Sequence, residues 1–289
     1  MNNHSIDYLL IGHITADLLP DGGRLLGGTV SYSARTAHAF GLRVGVLTSA
    51  APGEPLLDEL RDYAQIHVLP ADQTTTFENI YHEGGRSQYI RAVATPIKPA
   101  DVPVHWRNVP LVHLGPIADE TAAEIVHDFP DSTVMMTLQG WLRRWDDDGR
   151  VGYKRWFDPD VVRAVDLVVF SEEDINGDRE LEHEIARVAR HFVLTRADYG
   201  GVYYRDGQPE TYDAHPAEVV NPTGAGDIFS TSLLCAWHRL GGDIRVAIDV
   251  DAKLAAHSVT RMGLESAPTP DEVRAALSAA STSPMDDEA

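Results

Sequence analysis

The stretch Glu218-Val219-Val220-Asn221-Pro222-Thr223-Gly224-Ala225-Gly226-Asp227, followed by the apolar helical run Ile228 to Leu240, decides the fold. It reads as a strand that ends, a turn of small residues, and a helix with an acid in its first turn. Such a turn leaves the backbone N–H groups of Gly224, Ala225 and Gly226 unpaired and aimed at one point, where the helix dipole favours negative charge. That is a site for a phosphate. Asp227 would repel the anion those amides attract, so its presence requires a task. Taking the proton of an alcohol while the amides hold a transferring phosphoryl group is such a task. On this string alone, an ordinary Gly-rich turn whose Asp caps the helix stays open as the alternative.

Outward from this turn, short β-branched apolar runs alternate with longer amphipathic stretches, the rhythm of βα units in a parallel sheet. Strands are expected at Tyr8 to Ile14, Val44 to Ser49, Leu111 to Leu114, Thr133 to Leu138, Leu167 to Phe170 and Phe192 to Thr195. Helices are expected at Thr29 to Phe40, Glu54 to Ala64, Asp119 to Phe129, Glu180 to Arg190, Ile244 to Met262 and Asp271 to Ala279. The fold class is therefore α/β, a doubly wound and mostly parallel sheet flanked by helices. Two segments break the rhythm. Thr74 to Ala94 alternates around Gly84-Gly85 and reads as a small protruding β-hairpin lid, at about 74–95. Val202 to Asp213, turning at Asp206-Gly207, reads as an edge ribbon. The chain reads as a single domain over 1–279 with a disordered tail at 280–289.

Composition excludes several classes. The 289 residues hold 44 Asp and Glu against 24 Lys and Arg, a formal charge of -20, and the only lysines are Lys98, Lys154 and Lys253. That field repels nucleic acid and anionic membranes, so neither is expected as a partner. The single cysteine, Cys235, lies in an apolar helical pattern and reads as a buried small hydrophobe. With no basic leader and no stretch of membrane-spanning length, the expected location is cytoplasmic. The fingerprint of a dinucleotide-dependent oxidoreductase is missing after the first strand, where Gly12-His13-Ile14-Thr15-Ala16-Asp17 stands. The histidines are scattered, without the spacing of a zinc hydrolase.

Asn221-Pro222-Thr223-Gly224-Ala225-Gly226-Asp227 with its following helix resembles the C-terminal signature of the ribokinase-like carbohydrate kinases, the phosphofructokinase-B group. Gly12 and Asp17 after the first strand, Gly27-Gly28 opening a helix, and Ser258 to Gly263 are similar to further family segments in the same order. The resemblance covers nearly the whole chain. It implies an ATP-dependent kinase, a phosphotransferase with an alcohol acceptor, in which Asp227 is the base and Gly224, Ala225 and Gly226 the anion hole. Asp17, Gly27, Gly28 and Thr29 would hold the acceptor, and the di-glycine would let the lid close. Thr195, Arg196, Gly200, Thr223, Gly224 and Gly226 would meet the nucleotide, and Glu173 and Asp174 would hold Mg²⁺ through water.

Departures from the family pattern are equally specific. Asn221 replaces the Asp that helps to place a monovalent cation, which argues against potassium activation. Ser171-Glu172-Glu173-Asp174 stands where Asn-x-x-Glu is usual, and Thr195-Arg196-Ala197 where Thr-x-Gly is usual; Ala197 tolerates a positive φ less well, and Arg196 is a candidate phosphate contact. Tyr32 puts a ring where sugar kinases have an amide. The segment from Thr137 through Gln139 to Gly149 is similar to myo-inositol kinases of this family, which implies a cyclic polyol as acceptor, with Gln139 bonding a ring hydroxyl. Trp141 and Trp145, four apart, read as a packed helical face. A sugar or nucleoside kinase, or a weakened binding or regulatory protein on the same fold, remains the alternative. Nine residues between Asp17 and Gly27 look too few for a second lid hairpin, so a homodimer that covers the short lid is expected.

Overall fold

A computed structural model describes residues 6–82, 85–242 and 244–282. In chain order its strands are β1 (Tyr8–Ile11), β2 (Thr15–Leu18), β3 (Arg24–Gly27), β4 (Val44–Ala50), β5 (Ala64–Pro70), β6 (Thr76–His82), β7 (Gly85–Ala92) and β8 (Leu111–Leu114). They continue as β9 (Thr133–Thr137), β10 (Arg143–Trp145), β11 (Val151–Tyr153), β12 (Leu167–Ser171), β13 (His191–Thr195), β14 (Gly201–Arg205) and β15 (Gln208–Tyr212). The helices are α1 (Thr29–Ala39), α2 (Pro159–Ala164), α3 (Arg179–Val188), α4 (Ala225–Arg239), α5 (Ile244–Ser258) and α6 (Pro270–Thr282).

The main sheet runs β15-β14-β13-β12-β9-β8-β1-β4-β5, parallel except for the β14–β15 ribbon at one edge. Strands β1, β4 and β8 are buried along their whole length, as parallel strands covered on both faces must be. One apolar cluster packs α1, α4, α5 and α6 on one face; the other packs α2 and α3 on the opposite face. Cys235 is buried in the first of these. From β1 the chain moves outward through β4 and β5, then returns to β8. The carboxyl ends of β1 and β8 therefore form the switch point at which doubly wound sheets bind ligands.

The expected hairpin is present as β6 and β7, although Gly84 lies outside the described residues. It is half of a larger lid, whose order is β3-β2-β6-β7. Asp17 pairs with Leu25 on one side and Phe77 on the other. The expectation that the Asp17 to Gly27 segment is too short for a hairpin was wrong: four-residue strands with a turn at 19–23 suffice, closed by Leu19 N–H to Gly23 O at 2.9 Å and Gly22 N–H to Leu19 O at 3.0 Å. The argument for a covering partner rested on a two-stranded lid and goes with it. Trp145 lies on β10, not on a helix, and Trp141 stacks on Trp156.

Two expected helices are short 3₁₀ turns. Pro55–Leu60 ends early and leads into edge strand β5. Asp119 has φ 55, and the buried Glu120 carboxylate accepts from the N–H groups of Ile117, Ala118 and His13, so only Ala123–Asp128 turns. No strand precedes the Gly-rich turn: Val219 and Val220 are 59% and 58% exposed, and the N–H groups of Val220 and Asn221 both donate to Val259 O, at 2.8 and 3.0 Å. Helix α6 extends to Thr282, so the first residues of the expected tail are helical, while 283–289 lie outside the described residues. Among the described residues, no helix is long and apolar enough to cross a membrane.

Candidate active site

Helix α4 starts at the switch-point end of the sheet. Pro222 O accepts the Ala225 N–H at 3.2 Å, closing a turn whose third residue, Gly224, has φ 82 and ψ -6. A side chain there would be strained in φ and would meet the Tyr32 ring, with Cδ1 only 2.4 Å from an added Cβ. This corrects one expectation: the Ala225 N–H is spent inside the turn. Among the described residues, the amides without a partner are those of Gly224, Gly226 and Asp227. The set of open amides is thus shifted by one residue along the helix entrance.

Three carboxylates face this entrance. Burial pushes the Asp227 pKa up to about 6; the Thr29 hydroxyl and Arg143 pull it down, and the charges of Asp174 and Asp17 add to the rise. The Thr29 hydroxyl is buried and makes no hydrogen bond of full geometry, so it is free to answer the carboxylate it faces. Tyr32, buried beneath the turn, has its phenol pushed up by burial and then by the charges of Asp227 and Asp17. The charges of Asp227 and Asp17 thus both reach Tyr32, and those of Asp174 and Asp17 reach Asp227.

Asp17 reaches it from β2. Its Oδ1 accepts from Thr15 Oγ1 at 3.1 Å, and its Oδ2 lies over Gly27, where an added Cβ would be 2.5 Å away. Gly27 is therefore needed for the carboxylate to lie flat, and Gly28 precedes α1 at φ 86. Gln139, just past β9, donates from Nε2 to Asp174 Oδ1 at 3.4 Å. Asp174 Oδ2 accepts from the Ser171 N–H at 2.9 Å, and burial holds its pKa above the usual range. Glu173 is exposed beside it.

On the far side, Thr195 ends β13 in register with Ser171 and Gly201. Arg196 N–H donates to Gly200 O at 2.7 Å, Gly200 has φ 76, and Ala197 takes φ 49. The turn thus keeps a conformation suited to glycine although alanine occupies it. The side chain of Arg196, the candidate phosphate contact, turns towards two acids. Its guanidinium lies 3.6 Å from Glu172 and 3.9 Å from Glu182 on α3, drawn off by opposite charge. Asn221 Oδ1 accepts from the Thr223 N–H at 2.8 Å and so braces the turn that leads to the open amides.

Two residues of the candidate site escaped sequence reasoning. Arg143, on β10, is the cation whose charge lowers the pKa of both Asp227 and Asp174; its Nη1 donates to Ile117 O at 3.1 Å and its guanidinium stands 5.6 Å from the Phe77 ring of the lid. Its spacing of four from Gln139 was the available signal. His13 ties the root of the lid. Nε2 lies 2.9 Å from Thr95 O, which only accepts, so Nε2 carries the proton and Nδ1 accepts from Thr75 Oγ1 at 2.7 Å. Thr75 Oγ1 in turn accepts from the Ala94 N–H at 2.9 Å. One ring thereby joins both ends of the hairpin to the first βα turn.

For Mg²⁺, which needs oxygen ligands and usually keeps several waters, Asp174 fits: its carboxylate retains free lone pairs beside the open amides. Among the described residues, no three ligating side chains cluster.

Open amides at a helix entrance, a carboxylate of raised pKa beside them and a second carboxylate on a four-stranded sheet suit phosphoryl transfer to a hydroxyl. The sequence profile of the pfkB family carbohydrate kinases matches residues 163–272, and the fold is ribokinase-like. It is 26% identical over 261 residues to a cytidine kinase of Thermococcus kodakarensis, covering 81% of this chain and 89% of that protein. It is 25% identical over 252 residues to an inositol 3-kinase of Zea mays, covering 78% of this chain and 64% of that protein. Among solved structures, a pyrophosphate-dependent kinase of the ribokinase family, complexed with a pyrophosphate analog and myo-inositol, superposes with a TM-score of 0.77 at 20% identity, over 93% of this chain and 99% of that one. A ribokinase from Thermotoga maritima gives 0.73 at 15% identity, over 94% and 99%. The chain is a phosphotransferase with a hydroxyl acceptor, similar to the carbohydrate kinases of this family.

Proposed function

We propose that the protein transfers the terminal phosphoryl group of ATP to a hydroxyl of a cyclic polyol of the inositol class. The observation that carries this reading is that Asp227, beside the open amides at the start of α4, feels the charge of Asp17, which lies on the four-stranded sheet β3-β2-β6-β7. Asp17 accepts hydrogen bonds from two acceptor hydroxyls. Gln139 gives its amide to Asp174, which leaves its carbonyl oxygen for a third hydroxyl. Gly27, Gly28 and Thr29 line the path by which that ring approaches. A residue with pKa about 6 is mostly ionised at neutral pH, so Asp227 removes the proton from the attacking hydroxyl. The amides of Gly224, Gly226 and Asp227, with Arg143, answer the charge on the phosphoryl oxygens. Mg²⁺, held through water near Asp174, neutralises phosphate charge when bound. The lid excludes water, and His13 fixes where it pivots.

The donor turn Thr195 to Gly200 and Thr223 offer the nucleotide mainly backbone. The inositol 3-kinase and the myo-inositol complex support a polyol; the cytidine kinase, matched over 89% of its own length, supports a nucleoside as the second reading. The deciding experiment measures phosphorylated product for inositols, pentoses, hexoses and nucleosides, each with Mg·ATP and with Mg·pyrophosphate. The proposal expects the highest kcat/KM for an inositol with ATP. A higher value for cytidine overturns the acceptor, a higher value with pyrophosphate overturns the donor, and no product from any pair overturns the reaction.

A further inference from the structure

The hairpin β10–β11 that carries Arg143 has only three residue pairs, Arg143 with Tyr153, Arg144 with Gly152 and Trp145 with Val151. A two-stranded hairpin is marginal in water by itself, so what it leans on decides where Arg143 stands. At its tip it leans on β7. The Ile90 N–H donates to Gly149 O at 2.8 Å, Tyr89 and Arg150 form an antiparallel bridge, and Arg91 Nη1 donates to Asp148 O at 3.0 Å. Arg91 is itself held by Glu78 on β6, through Nε at 2.8 Å and Nη2 at 2.6 Å. The tip thus adds a short edge to the sheet β3-β2-β6-β7.

Gly149 is what lets the two backbones approach so closely. Its φ is 87, and an added Cβ would lie 2.3 Å from Ile90 O. The turn around it is closed from within, by the Gly149 N–H on Asp146 O at 2.9 Å and the Arg150 N–H on Asp146 Oδ1 at 2.8 Å. Beneath this contact lies a small apolar cluster separate from the two that flank the main sheet: Phe77 of β6, Ile90 of β7, and Ile117 and Ala118 from the loop after β8, with Val151 of β11 packed against them. Arg143 reaches the same cluster, Nη1 on Ile117 O at 3.1 Å and the guanidinium 5.6 Å from the Phe77 ring. At its base the hairpin is tied to the main sheet, the Arg143 N–H donating to Gly140 O at 3.2 Å and the Lys154 N–H to Leu142 O at 2.9 Å. The strand that carries Arg143 is therefore held at both ends, at one of them by β7.

We propose that Gly149 and Arg91 are positioning residues for phosphoryl transfer: by fastening the tip of β10–β11 to β7 they hold the Arg143 guanidinium where it answers the transferring group, a role that rests on the reaction proposed above. The test is a double-mutant cycle in the whole enzyme, with kcat and both KM values measured on the acceptor that gives most product. Arg143→Gln should lower kcat by about 10²-fold, as for one lost donor to the transition state. Gly149→Ala, whose Cβ pushes Ile90 O away, should lower kcat by about tenfold and leave both KM values unchanged, since a small displacement of a charge-stabilising group acts on the chemical step. In the Arg143→Gln background the same change should lower kcat by less than about twofold, because Gly149 acts through Arg143. Arg91→Gln, at an exposed position, should show the same pattern with a loss of about threefold, and it carries the comparison if Gly149→Ala does not fold. If Arg143→Gln leaves kcat unchanged, the role of Arg143 in the reaction falls and the positioning role falls with it. If Arg143→Gln lowers kcat but the tip variants do not, or lower it by the same factor in both backgrounds, or act on KM alone, the positioning role is overturned while the reaction stands.

Discussion

Around Asp17 the cleft is built from side chains with partners; around Thr195 to Gly200 and Asn221 to Asp227 it is built from backbone. On the acceptor side, Thr15 orients Asp17, Glu120 and Thr75 fix the turn that carries it, and Gly27 clears its path. On the other side the working groups are amides, and the side chains look after the turns themselves: Asn221 braces Thr223, and Arg196 faces Glu172 and Glu182. The difference bears on where this chain departs from the family pattern it resembles. Asn221 and Ala197 both fall in the backbone-built half, where the shape of a turn can outlast a change of side chain.

The comparison can be broken at its strongest point first. Asp227→Asn should lower kcat by about 10²–10⁴-fold, the range for loss of a general base, with donor binding by calorimetry unchanged. Asp17→Asn should lower kcat/KM for the acceptor by about 10–100-fold, as for lost hydrogen bonds to a charged group, and leave donor KM alone. An equal effect on donor KM would show that the two halves are not separable.

Stability sharpens the same contrast. Asp251 on α5 is fully buried, both its oxygens lack partners, and burial holds its pKa well above the usual range. The unfolded chain loses that proton near its ordinary pKa, so folded stability falls as pH rises from there towards the folded pKa. Asp251→Asn should remove this fall and add about 1–3 kcal/mol near neutral pH, seen by urea unfolding at several pH values. Smaller still, Ala197→Gly should relieve the positive φ of 49 and add about 1 kcal/mol, without changing donor KM if backbone shape alone serves the nucleotide.

Much of the fold was legible because parallel strands buried on both faces read as apolar runs: β4, β8, β12 and β13 fall within a residue or so of their expected bounds. Strand β5 was missed because an edge strand is half exposed and lacks that run. Strands β2 and β3 were missed because four residues each, broken by Pro20-Asp21-Gly22, look like loop until β6 pairs beside them. In the candidate site, Asp17, Gly224, Gly226 and Asp227 were named from sequence because phosphoryl transfer to an alcohol calls for those types at that spacing. The shift of the open amides from Ala225 to Asp227 was not, since it depends on one turn hydrogen bond. Arg143 and His13 come close to the site only through tertiary packing of β10 and of the lid root.

The central claim is that Asp227, with its pKa pushed up to about 6 by burial, must be ionised to take the acceptor's proton. The direct measurement is the pH dependence of kcat/KM for the best acceptor between pH 5 and 8, in wild type and in Asp227→Asn. The account predicts a wild-type plateau that falls about tenfold per pH unit below about pH 6, and a residual activity in the variant without that break. A wild-type profile that stays flat through pH 5, or a break that persists in Asp227→Asn, would contradict it.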